Sequence, residues 1–91
     1  MTTRYARHSD LRVTALEGEG VALHLGTRRY YSLSESGLDL IDALTTPKTL
    51  EELVAVLTAK YKVTAEQAAT SAREFVEHGV RTGVLVVEEV P

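Results

Sequence analysis

His8, His24 and His78 are the residues in this chain best suited to proton transfer or metal ligation near neutral pH. Their spacing suits neither. His8 falls in a polar N-terminal stretch, His24 on the outer face of a predicted strand, and His78 near a predicted helix end. A metal site needs convergent ligands, and nothing in the pattern converges them. The carboxylate pairs Asp39/Asp42, Glu51/Glu52 and Glu88/Glu89 fall on a helix face, a helix start and a tail. Acids at helix starts are expected from the helix dipole. There is no cysteine, hence no thiolate nucleophile and no disulfide framework. No nucleophile–base set, glycine-rich phosphate loop or nucleotide motif appears. The expectation is a protein without catalytic residues, metal or cofactor.

The elements that such residues would need fit one small domain of 91 residues. A hydrophobic fraction of 44% supports a single modest core, and the net charge of −3 argues against coating nucleic acid. The first ten residues are polar and charged, without the apolar run of a signal peptide, and no segment reaches membrane-spanning length. A cytoplasmic protein that contacts neither membrane nor nucleic acid is expected. Residues 1–10 read as a frayed or loosely docked arm, and 11–91 as the domain.

Leu11–Leu16 alternates and is rich in β-formers, a first strand. The stretch Gly20–Leu25 is a second, in which Val21, Leu23 and Leu25 alternate with Ala22 and His24. The turn Gly26-Thr27-Arg28, with Gly26 able to take positive φ, leads to a third strand over Arg29–Leu33. Tyr31 and Leu33 are expected on the core side with Val21, Leu23 and Leu25, and Tyr30 and Ser32 on the other. Short loops make this a three-stranded antiparallel meander. No later strand lies close in sequence to cover the third, which leaves a sheet edge to be protected or used.

Three helices follow. Ser34 or Ser36 caps the first, which runs to about Leu44 with Leu40, Ile41 and Leu44 inward. Thr49-Leu50-Glu51-Glu52 and Thr64-Ala65-Glu66-Gln67 are capping boxes that open the second and third. The second carries Leu50, Leu53, Val54, Leu57 and Tyr61 on one face. The third carries a stripe of Ala65, Ala68, Ala69, Ala72, Phe75, Val76 and Val80, ending at Gly79 or Gly83. Val84–Val87 is a candidate closing strand. The fold class is α+β and winged-helix-like: an N-terminal three-stranded antiparallel sheet followed by three helices.

The run Gly26-Thr27-Arg28-Arg29, Tyr30-Tyr31-Ser32-Leu33, Ser36-Gly37, Leu40-Ile41, Leu44, Thr49–Leu53 and Tyr61-Lys62-Val63 resembles the PqqD-like family. These are recognition elements for ribosomally made, post-translationally modified peptides, and the stand-alone versions serving lasso-peptide biosynthesis are the most similar form. The resemblance spans roughly residues 11–87. Two aromatics, then Leu33 and Gly37 ahead of a helix, are its most distinctive part.

The resemblance implies a non-catalytic binder of a precursor's leader segment. The leader would add as a strand to the third strand, lie against the third helix, and be presented to a leader peptidase and a macrolactam-forming cyclase. The implied site is Arg28, Arg29, Tyr30, Tyr31, Ser32 and Leu33, with Ala69, Ala72, Arg73, Val76 and Val80 of the third helix; Arg73 would sit at the rim. If 84–87 paired with the third strand, it would block this site. Three rivals stand beside this reading: a PqqD-type role in quinone-cofactor biosynthesis, a small scaffold domain, and a winged-helix nucleic-acid binder. The last is disfavoured because Glu66, Glu74 and Glu77 outnumber Arg73 on its candidate recognition helix.

Overall fold

The computed structural model describes residues 2–90. The elements are β1 (Thr2–Arg7), β2 (Leu11–Leu16), β3 (Glu19–His24), β4 (Arg29–Leu33), α1 (Glu35–Ala43), α2 (Leu50–Lys60), α3 (Ala65–Thr82) and β5 (Leu85–Val90). The fold is α+β, with three helices and two antiparallel sheets, one ordered β2-β3-β4 and the other β1-β5.

The expected meander is present, with Ala22 opposite both Val13 and Tyr31. It is not the first element of the chain. Residues 2–7 of the expected arm form β1, which pairs with β5 from Thr2 opposite Val90 to Arg7 opposite Leu85. Met1 and Pro91, the ends of the expected arm and domain, lie outside the described residues. The closing strand therefore exists, is longer than expected, and pairs with β1 rather than β4.

The helix starts follow their local chemistry. Ser34 accepts the Gly37 N–H at 3.2 Å. Thr49 accepts the Glu52 N–H at 3.2 Å while the Glu52 carboxylate accepts the Thr49 N–H at 2.9 Å. Thr64 and Gln67 repeat this exchange at 3.0 and 3.1 Å. Each bond satisfies an amide that the helix itself cannot. Gly83, at φ 82°, caps α3, and Gly79 lies within the helix.

Leu40, Ile41 and Leu44 of α1, Leu53 and Leu57 of α2, and Ala68, Ala72 and Val76 of α3 form the core with Leu11, Ala22, Val84 and Leu85. The face of β3 turned toward it is the reverse of the one expected. Gly20, Ala22 and His24 are buried, Val21 and Leu23 are half-buried, and Leu25 is exposed. The reason is distance. A Cβ at Gly20 would come within 2.9 Å of Leu38 Cδ1. With α1 this close, the inward positions at its end of the strand, Gly20 and Ala22, take small side chains, whatever their hydrophobicity.

His24 is likewise not on an outer face; it is 6% exposed. Its Nδ1 accepts the N–H groups of Gly26 and Thr27 at 3.1 and 3.2 Å, and its ring lies 4.5 Å from that of His8. The positive φ in the β3–β4 turn falls on Arg28, at 61°, and not on Gly26.

Candidate functional site

β4 is hydrogen-bonded on one side only. It pairs with β3, and no other strand of the described residues lies against its second edge. Unpaired N–H and C=O groups along such an edge can accept another chain. Beside it runs an open groove of about 340 Å³. One wall is β4 itself, Tyr30 to Leu33; the end is Ser34 and Gly37 of the α1 start. The opposite wall is Phe75, His78, Gly79 and Thr82 of α3, followed by Val84.

The alternation of β4 divides its side chains as expected. Tyr31 and Leu33 stand opposite Ala22 and Gly20 on the core side and are half-buried. Tyr30 and Ser32 are exposed, Tyr30 at 72%. The Tyr31 hydroxyl donates to the Thr82 carbonyl at 3.4 Å, joining β4 to the last turn of α3. Gly37 lies between Leu33 and Phe75: a Cβ there would meet Leu33 Cδ2 and Phe75 Cε1 at 3.8 Å each.

The structure places the helix half of the expected site away from this groove. Ala72 and Val76 are buried in the core, Ala69 is half-buried and Arg73 is exposed, and none of these lines the groove. Val80 is 39% exposed and, with Val76, faces a different cavity lined by Tyr5 and Val87 of the β1–β5 ribbon. At about 100° per residue, positions 76 and 80 lie more than a quarter-turn around the helix from 75, 78 and 82, and position 72 lies about 60° from 75. Within the alanine stripe, Ala68 and Ala72 are buried in the core, Ala69 is half-buried and Ala65 is exposed.

Phe75, His78, Gly79 and Thr82 recur at i, i+3, i+4 and i+7 and so share one side of the helix. That spacing was available in the sequence, but two of its members are polar. Gly79 also works inward: a Cβ at this position would sit 2.7 Å from Leu85 Cγ, so the residue lets β5 approach α3.

A second cavity of about 330 Å³ lies beyond Ser34, between the start of α1, the end of α2 and the start of α3. Tyr61, Leu57 and Ala68 line it. At its edge the Tyr61 hydroxyl donates to Asp39 Oδ2, and Lys60 donates to Asp39 Oδ1 at 2.8 Å. The Lys60 bond first, and the Tyr61 bond second, hold the Asp39 carboxyl below its ordinary value. The same carboxylate pushes the Tyr61 phenol up to about 12. These bonds tie the end of α2 to α1.

Among the described residues, no three His, Cys, Asp or Glu side chains come together as a metal-ligand set, and no helix is long and apolar enough to cross a membrane.

In this α+β domain the unpaired edge of β4 faces a helix across a groove, a geometry that can accept an extended chain. The sequence profile described as Coenzyme PQQ synthesis protein D (PqqD) matches residues 19–85. The chain belongs to this PqqD family. Among solved structures it is similar to TbiB1 in complex with the TbiA(beta) leader peptide, with a TM-score of 0.80 and 25% sequence identity over 88% of this chain and 93% of that one. No curated protein matches the sequence.

Proposed function

We propose that this chain is a non-catalytic, cytoplasmic adaptor for the leader segment of a ribosomal precursor peptide. The leader adds to β4 as a further antiparallel strand and rests side chains in the groove against Phe75, His78 and Thr82. The observation that carries this reading is the unpaired edge of β4 beside that groove. The similarity to TbiB1, solved with a leader peptide, supports it, and lasso-peptide biosynthesis is the setting that the sequence resemblance implies. In that setting the bound precursor passes to a leader peptidase and a macrolactam-forming cyclase. The arrangement is then winged-helix-like, with the meander as wing and α2–α3 as helix-turn-helix, used for peptide and not for nucleic acid. The family description keeps a role in quinone-cofactor biosynthesis as the second reading.

The test is a calorimetric titration of the protein with the leader of the precursor encoded beside its gene, repeated on Tyr31→Pro and Ser32→Pro. Alternate residues of a strand send their N–H groups to opposite sides, so one of these prolines deletes an outward donor and the other an inward one. One variant is expected to stay folded by circular dichroism and lose binding by at least about tenfold. Two folded variants that bind like the parent would sink strand addition. Which precursor binds separates the two pathways.

A further inference from the structure

We infer that the peptide taken by the β4 groove has opposite charges at its two ends: acidic residues beside Arg28 and Arg29, an uncharged apolar run along the groove, and basic residues beside Glu35. This rests on the strand-addition reading and adds to it the composition of the peptide.

The groove wall holds no Asp, Glu, Lys or Arg. Its side chains are apolar, hydroxylic or phenolic, with the imidazole of His78 beside them. A charged side chain seated there would lose hydration and find no opposite charge, which is costly. The segment along β4 is therefore uncharged.

The two ends of the strand differ. Arg28 and Arg29 stand at its start, both exposed. Among the described residues the ion pair within 4.0 Å is Lys60–Asp39, so neither arginine is engaged by a carboxylate. Asp10 lies close to the same turn, with its Oδ2 3.1 Å from where a Cβ on Gly26 would sit and no ion pair to either arginine. In a chain of net charge −3 these two arginines form a local cationic end. At the other end, just past Ser34, Glu35 is exposed and lines the neighbouring cavity. Lys60, a cation within reach of Glu35, is already held by Asp39 at 2.8 Å.

The five residues of β4 span roughly 16 Å at about 3.3 Å per residue. That is about twice the screening length of about 8 Å at physiological salt, so a peptide charge at one end senses that end alone. An added strand lies about 4.8 Å from β4, well inside the screening length. Opposite charges placed side by side across strands attract and like charges repel. The two ends thus sort peptides by the side of the apolar run that carries the acid.

The experiment selects binders from a random-peptide display library on the full chain, on the double variant Arg28→Glu/Arg29→Glu, and on Glu35→Lys. Each target is checked for folding by circular dichroism. Binders are kept if Tyr31→Pro or Ser32→Pro abolishes their binding. Wild-type binders are expected to carry Asp or Glu on one side of an apolar run and Lys or Arg on the other. The arginine variant should reverse the first preference and Glu35→Lys the second. A chosen binder should lose about three- to tenfold affinity on the arginine variant and regain it when its acids become lysines. If the double reversal does not fold, Arg29→Ala replaces it, with a loss of about twofold. Edge-dependent binders with no charge asymmetry, or with the same asymmetry on every target, overturn the inference and leave strand addition standing. The absence of any edge-dependent binder overturns strand addition itself.

Discussion

The two working sides of α3 ask opposite things of a side chain. On one, Ala68, Ala72 and Val76 are buried against the core, and a Cβ at Gly79 would press on Leu85. Side chains there are small because neighbours are close. On the other, Phe75, His78 and Thr82 stand half-buried or exposed across a groove from β4. Side chains there are larger, and the space in front of them is open. A run of small residues on a helix thus marks where the protein fills space with its own elements, and the binding surface lies around the helix from it.

The largest effect that would test this contrast is expected from Ala72→Leu. Ala72 is fully buried, so three added carbons must displace neighbours. Overpacking of this kind costs about 1–3 kcal/mol. For a domain of this size each kcal/mol lowers the melting temperature by roughly 4–8 °C. Leader affinity of the folded fraction should hardly change. Phe75→Ala is expected to do the reverse in proportion: a smaller melting shift, because Phe75 is only half-buried, and a loss of leader affinity of at least about fivefold. A stable Ala72→Leu that cannot bind leader would put the groove on the alanine side and break the comparison.

The same contrast explains what the sequence disclosed. The three helix starts were legible because a cap is a local exchange: Ser34 with Gly37, Thr49 with Glu52, Thr64 with Gln67. The meander and the open edge of β4 were legible from alternation and short turns. Faces were not. In β3 hydrophobicity favours Val21 and Leu23 as the core side, but the proximity of Leu38 to Gly20 selects Gly20 and Ala22. In α3 the stripe from Ala65 to Val80 joins two sides that burial separates. β1 was missed because its partner β5 lies at the other end of the chain, so no local pattern links Thr2 to Val90. The open β4 edge was thus visible in the sequence, and the side of α3 that faces it depended on which way a helix is rotated.

A smaller effect concerns the end of the groove side, where Tyr61 fixes α2 to α1. Its phenol is pushed to about 12 by donation to the Asp39 carboxylate, above the ordinary 10.0. A folded-state value above the unfolded one means a stabilising bond that is intact below pH 10 and lost as pH rises from 10 toward 12. Asp39 is shifted the other way, chiefly by Lys60. Its contribution is present above the usual carboxylate range and is lost as pH falls below it. Of the four tyrosines, one should titrate late in phenolate absorbance, and Tyr61→Phe should remove that late component. If the parent and Tyr61→Phe differ only by a tyrosine titrating near 10, the bond does not hold this corner together.

The smallest effect is expected from Arg73→Glu, and its smallness is what sharpens the comparison. Arg73 is exposed and lines neither the groove nor the cavity under the ribbon. At about 100° per residue it points nearly opposite to Phe75. Reversing its charge replaces an attraction to Glu77, four residues on, with a repulsion, and each of these is worth about 0.2–0.5 kcal/mol. Stability should therefore fall by less than about 1 kcal/mol. A peptide on the β4 side would sense the reversal only across the helix, through both protein and screened solvent, so leader affinity should change by less than about twofold. Leader titrations at low and physiological salt would check this, because any direct contact should grow as screening weakens. A loss of tenfold or more that deepens at low salt would place the leader on the Arg73 side of α3. The groove beside β4 would then be a feature of packing and not the reader.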